Sequence, residues 1–119
     1  MAIEHTGVLV KNYKKSKAFY EKALKPLGYK QSMEFGEAVG FMEGGHTSFW
    51  VVKKAHKDTG HVAFHAKSRR VVQAFHKAAL KAGGKDNGKP GLRKDYSPDY
   101  YAAFVFDPDG NNIEAVCFK

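Results

Sequence analysis

The chain of 119 residues has one cysteine, one tryptophan, four prolines and no long apolar run. With Cys117 alone, no disulfide can form inside the chain, and a reducing compartment is expected. The opening stretch MAIEHTGVLVKNYKK carries no apolar core of the kind a signal peptide needs. No segment offers the roughly 20 consecutive apolar residues of a membrane span. These absences point to a cytoplasmic, soluble protein. Acidic residues are also scarce: 12 Asp and Glu stand against 20 Lys and Arg, a net charge of +8. A basic balance raises nucleic acid or an anionic ligand as partners. The lysines do not cluster, however. They are spread over KNYKKSK, EKALK, VVKKAHK, KAALKAGGK and GKPGLRK, and no nucleic-acid-binding motif accompanies them. A solvated, lysine-rich surface is the reading, and no nucleic-acid partner is expected.

What is present suffices for one domain. The chain is 43% hydrophobic and 13% aromatic, ordinary for a globular protein with one core. Its main feature is an internal repeat. A shift of 56 lays His5–Tyr29 on His61–Lys85 without a gap. Identities fall at His5/His61, Lys11/Lys67, Ala18/Ala74, Phe19/Phe75, Ala23/Ala79, Leu24/Leu80, Lys25/Lys81 and Gly28/Gly84. Two related units follow, at about residues 1–53 and 61–119, joined by a polar linker at 54–60.

Each unit opens with a short apolar strand, IEHTGVLV or HVAFHA, and continues into a helix. Asn12 and Ser68 are the expected N-caps. Phe19 with Ala23, and Tyr20 with Leu24, share faces of the first helix. Val72, Phe75, Ala79 and Ala82 make the stripe of the second. Pro26 and Gly28 end the first helix and Gly83-Gly84 the second. Three strands follow in the first unit: YKQSMEF, AVGFME and TSFWVVK. In the second, KDN begins a short strand, a long loop GKPGLRKDYSP follows, and then YYAAFVF and IEAVCF flank the turn DPDGNN. The predicted order is βαβββ twice, an α+β fold.

The paired βαβββ units, the strand-opening histidines, the AFY…AL…LGY helix and the closing DPDGNxIE resemble the vicinal oxygen chelate superfamily. That superfamily includes glyoxalase I, extradiol dioxygenases, fosfomycin-resistance proteins and bleomycin-binding proteins. The resemblance spans essentially the whole chain. It implies an open, cup-shaped mixed sheet with helices on the outside and a divalent metal (Zn, Mn, Fe(II) or Ni) at its floor. It places His5, His61 and Glu114 at the ligand positions. Two histidines and one carboxylate with open positions suit such an ion. A cation would also account for a carboxylate within the apolar IEAVCF strand. From alternation alone, Glu114 can face either side of its sheet. The second glutamate of glyoxalase I has no counterpart here: its strand reads TSFWVV, with Phe49 or Trp50 at the equivalent place, so that four-ligand set is broken.

Other candidates surround the expected cup. His65 lies four residues after His61 on the same strand face, roughly 13 Å away at the usual rise, as a general acid or base at the edge. Trp50 is either a ligand-packing aromatic or core. The long loop has no counterpart in the first unit, and unpaired insertions are often functional. Within the wider stretch NGKPGLRKDYSPDYY, Tyr96 is a hydrogen-bond donor at the reaction centre, and Arg93, Tyr100 and Tyr101 are substrate contacts; otherwise these side chains only pack the loop down. His76 is expected to be structural, and His46 and His56 to face solvent. The first functional reading is a metal-dependent lyase, isomerase or dioxygenase acting on a small oxygen-bearing molecule. The alternative is a metal-free binder of small molecules or drugs. A homodimer is expected, since superfamily members pair their units within one chain or between two.

Overall fold

The computed structural model describes residues 3–54 and 60–119. Unit 1 contains β1 (Thr6–Val10), α1 (Tyr13–Ala23), a 3-10 turn (Lys25–Leu27), β2 (Lys30–Phe35), β3 (Ala38–Glu43) and β4 (His46–Lys53). Unit 2 contains β5 (His61–His65), α2 (Arg69–Lys81), β6 (Lys85–Leu92), β7 (Tyr101–Phe106) and β8 (Asn112–Cys117). The doubled βαβββ order is as predicted. The expected linker and His56 fall largely on residues 55–59, outside the described residues.

The helices start where capping chemistry places them. Asn12 accepts the amide of Lys15 at 3.1 Å and Ser68 that of Val71 at 3.2 Å. Each satisfies one of the donors a helix start leaves open. Gly28 (φ 89°) and Gly83 (φ 104°) end the helical segments in the left-handed region, where a Cβ is unfavourable.

Unit 1 forms a sheet of order β1-β4-β3-β2 and unit 2 a sheet of order β5-β8-β7-β6. In each, the first and last strands pair in parallel and the hairpins pair antiparallel. The open α+β architecture is therefore present, divided within one chain into two separate four-stranded sheets. Alternation gives each sheet a core face and an outer face. Val8, Val10, Val39, Phe41, Phe49 and Val51 turn inward in unit 1. In unit 2 the inward set includes Phe64, Val105, Ile113, Ala115 and Cys117. Helices α1 and α2 pack on these faces and touch one another, so the two units share one apolar core.

One expectation is corrected. The loop predicted to begin at Gly88 begins at Arg93, because residues 85–92 continue as β6. Pro90 is unusual inside a strand. But β6 is the outer edge of its sheet, where Pro90 costs no ladder bond, and irregular register at Asp86/Gly88 and Gly88/Gly91 absorbs the rest.

The seam between the units fixes what can meet. At one end, Asn111 donates Nδ2 to the carbonyl of Leu9 at 3.3 Å and accepts from the amide of Gly60 at 2.7 Å. The close of β1 thus lies beside the start of β5. At the other end, Phe49, register partner of Thr6, meets Phe64 with ring centroids 4.9 Å apart. The start of β1 thus lies beside the close of β5.

Candidate functional site

The outer face of unit 2 carries the chemistry. In β8, Ile113, Ala115 and Cys117 are wholly buried in the core, so Glu114 points the other way. It is register partner of Ala63 on one side and Phe104 on the other. It is nevertheless only 2% exposed. Its Oε1 lies 3.1 Å from Nε2 of His61, and its Oε2 accepts the hydroxyl of Tyr100. His61 stacks on Phe104, at 6.4 Å and 22°.

The other imidazole nitrogen decides how this pair reads. His61 Nδ1 lies 2.9 Å from the carbonyl of Asn112. A carbonyl only accepts, so Nδ1 carries the hydrogen. In the neutral tautomer Nε2 then presents a lone pair to a carboxylate oxygen. Two acceptors facing each other at that distance need a cation between them, either a proton or a metal ion. An imidazole whose far nitrogen donates to a backbone carbonyl is how metal-ligating histidines are usually oriented. His61 and Glu114 therefore fit a cation as two donors of a site.

His5 does not join them within the chain. The seam places it at the far end of β1 from His61, four strand residues or roughly 13 Å away. His5 Nδ1 pairs instead with Glu4, whose carboxyl this hydrogen bond holds below its usual range. Among the described residues no group of three His, Cys, Asp or Glu side chains converges as a metal site.

The remaining candidates divide by face. His65 lies on the outer face with His61 and is exposed. It lines a hollow of about 530 Å³ at the seam, together with His5, Lys67 and the buried rings of Phe49 and Phe64. Tyr96 is 66% exposed and meets Tyr100 edge-on at 5.0 Å. Burial and the Glu114 hydrogen bond push the Tyr100 hydroxyl up to about 12. Arg93 donates to the carbonyls of Gly91 at 2.9 Å and Lys89 at 2.7 Å, and its guanidinium lies over Phe104. Tyr101 is on the opposite face, beneath Arg69 and hydrogen-bonded to Gln73 of α2. His76 is buried and bonded to Asp86 at 2.8 Å, as a structural residue.

Register identifies the counterpart of Glu114. Thr6 pairs with Phe49 as Val62 pairs with Ile113, so Trp50 occupies the place of Glu114 and Gly40 that of Phe104. The indole lies against Gly40, where a methyl would stand 3.1 Å from the ring. It stacks with Phe35 at 6.4 Å and 23°. Beside it is a hollow of about 440 Å³ lined by His5, Gly7, Leu9 and Val52 among others.

The DPDGNN turn has a different role, which the sequence left unassigned. Asp107 is 4% exposed and accepts from the hydroxyl of Tyr20 on α1 at 2.7 Å. It also accepts from the amides of Asp109 and Asn111 and from Asn111 Nδ2. Asp109 accepts from the amide of Lys11 at 2.7 Å. The turn of unit 2 is thereby bonded to the start of α1 in unit 1.

A family model described as the Glyoxalase/Bleomycin resistance protein/Dioxygenase superfamily matches residues 2–115. Among solved structures, a glyoxalase/bleomycin resistance protein from Albidiferax ferrireducens T118 is 27% identical, with 98% of this chain and 99% of that one covered and a TM-score of 0.87. Two more share the fold. A lactoylglutathione lyase from Agrobacterium tumefaciens is 17% identical (98% and 92% covered, TM-score 0.74). A glyoxalase/bleomycin resistance protein/dioxygenase family enzyme from Burkholderia phytofirmans PsJN is 13% identical (98% and 98% covered, TM-score 0.75). No curated protein matches the chain. No helix among the described residues is long and apolar enough to cross a membrane.

Proposed function

The chain belongs to the glyoxalase/bleomycin resistance protein/dioxygenase superfamily, and from that premise we propose that it is a divalent-metal-dependent enzyme acting on a small oxygen-bearing molecule. The observation that carries this reading is the pairing of His61 Nε2 with Glu114 Oε1 at 3.1 Å, with Nδ1 already committed to Asn112. His61 and Glu114 hold the ion. His5 of a second copy completes the set, when the outer face of unit 1 in one chain covers that of unit 2 in another. Support for this pairing is the exposed apolar surface of unit 1: Leu9 at 41%, Met33 at 41% and Phe35 at 66%. An uncovered apolar face of this kind favours association.

A divalent ion held there supplies Lewis acidity, stabilising negative charge that develops on a substrate oxygen. The protein supplies the surroundings. Phe104 and Tyr100 flank Glu114 and help exclude water from it, which strengthens its electrostatic interactions. Trp50 offers an apolar wall in place of a fourth ligand. His65 and Tyr96, both exposed, are the groups at the margin able to move a proton.

Elemental analysis and calorimetric titration with Zn²⁺, Mn²⁺, Fe²⁺ and Ni²⁺ test the reading, with sedimentation to count chains. Stoichiometric binding is expected, lost in Glu114→Gln and His61→Ala and weakened in His5→Ala. No binding of any of these ions, or a monomer that binds equally well without His5, would sink it. One observation favours a second reading, a metal-free binder: Trp50 and its hollow stand where a further carboxylate ligand would. Ligand binding that survives chelation and Glu114→Gln would establish that alternative.

A further inference from the structure

The loop unique to unit 2 does more than cover the sheet. In unit 1, β2 and β3 are joined by Gly36 and Glu37 alone, whereas residues 93–100 join β6 and β7. This loop is closed on itself: the amide of Arg93 donates to the carbonyl of Tyr100 at 2.7 Å, and that of Tyr96 to the carbonyl of Arg93 at 3.0 Å. Its last residue, Tyr100, is wedged between two rings, edge-on to Tyr96 at 5.0 Å and to Phe118 at 5.4 Å. The hydroxyl so placed reaches Glu114 Oε2.

We propose that Tyr100 is a positioning residue: it ties down Oε2 of Glu114 so that the carboxylate presents one oxygen, Oε1, to whatever cation it shares with His61. Both donors are then held from behind. Asn112 fixes the imidazole through Nδ1, and Tyr100 fixes the carboxylate through Oε2. The remaining atoms, Nε2 and Oε1, face each other before any ion arrives. A carboxylate limited to one oxygen suits a small transition ion with mixed nitrogen and oxygen ligands. It disfavours calcium, which gathers six to eight oxygens and often takes a carboxylate through both. The role is separate from the substrate contact expected of Tyr100, whose hydroxyl oxygen can still accept a hydrogen bond. The inference about the cation rests on the metal reading above; the positioning of Glu114 does not.

The test is Tyr100→Phe, which keeps the ring and removes the hydroxyl. In metal-free protein at one fixed pH, the ¹⁵N signals of the His61 imidazole are compared with wild type. The Nε2 signal should move, because the carboxylate opposite it is no longer held, while Nδ1 remains the protonated nitrogen. Co²⁺ is then titrated and followed by its visible absorption. Its affinity should fall about 10- to 100-fold, the usual effect of removing a group that orients a ligand. A wild type that takes no Co²⁺ but a variant whose Nε2 signal still moves would uphold the positioning and sink the metal reading. An unmoved Nε2 signal would overturn the positioning, whatever Co²⁺ does. Should Tyr100→Phe fail to fold, Phe118→Leu loosens the same ring with the hydroxyl kept, and must move the same signal.

Discussion

The two units share a fold and differ in what they do with their outer faces. Unit 1 uses short connections and leaves an apolar sheet face open, with Trp50 lying on Gly40. Unit 2 puts Glu114 and Phe104 at those two places and roofs them with residues 93–100. Large and small side chains have exchanged across a strand pair. Where the indole needs a glycine beneath it, the carboxylate needs a ring beside it and a hydroxyl above. The inward faces kept their character, because both must pack a helix at close to crystal density. The outer faces were free to diverge, since only their occupants constrain them. A duplicated scaffold can thus keep one core and build one polar site.

The two units differ most in what their closing turns hold together. Unit 1 joins β3 to β4 by Gly44-Gly45, while unit 2 joins β7 to β8 through Asp107–Asn111, which reaches across to α1. Asp107→Ala removes the acceptor of the Tyr20 hydroxyl and of two backbone amides, and unsatisfied buried donors cost about 1–3 kcal/mol each. A loss of about 3 kcal/mol in urea unfolding is expected, allowing for water reaching part of the turn. A double-mutant cycle with Tyr20→Phe should show coupling. Additive losses would mean the turn does not brace the units.

Next in size is Gly40→Ala. A methyl there would lie 2.7 Å from Thr47 Cγ2 and 3.1 Å from the indole. Crowding of this kind costs about 1–3 kcal/mol. The emission of Trp50, the sole tryptophan, should shift as the ring is lifted from the sheet. An unchanged spectrum would show that the glycine does not seat the ring.

The helix starts of the two units are alike, and smaller effects are expected there. Asn12→Ala and Ser68→Ala should each cost about 1 kcal/mol, as equivalent caps of duplicated helices. Unequal losses in chemical denaturation would show that the Asp109 bond to Lys11 stiffens only the first.

The smallest effect is one of pH. Both units tie their helix to the second strand of the unit, through Tyr13 and Lys17 with Glu34 in unit 1 and His76 with Asp86 in unit 2. The His76 hydrogen bond, then that of the Gly88 amide, hold the Asp86 carboxyl below its ordinary 3.8. A lowered carboxyl stabilises the fold above its unfolded value and loses that contribution as pH falls through its folded value. Asp86→Asn should therefore be less stable than wild type at neutral pH, with the gap closing below about pH 4. A gap that stays constant into acid would remove the pair from the account.

Much of this was legible in the sequence for identifiable reasons. The βαβββ order, the caps at Asn12 and Ser68 and the inward helix stripes follow from local chemistry and periodicity. His61 and Glu114 were legible as a pair because the repeat and the resemblance named both. The face of Glu114 was not, since IEAVCF is apolar on both sides; burial of Ile113, Ala115 and Cys117 in the core decided it. Phe49 and Trp50 were equally eligible as its counterpart until pairing of β1 with β4 chose Trp50. The start of the loop was not legible, because a strand that holds Pro90 is tolerated only at a sheet edge, and edge position is a property of the sheet that no local signal reports.

The sequence alone determined that the chain is built twice over, which residues start and end its helices, and which side chains are chemically able to hold a cation. Those are properties of residue type and spacing along one strand or helix. Which of them meet depends on how the strands pair and the two units pack in three dimensions. That arrangement set His61 against Glu114 beneath Tyr100, and it put His5 at the other end of the seam, because two related strands running past each other bring the start of one to the close of the other.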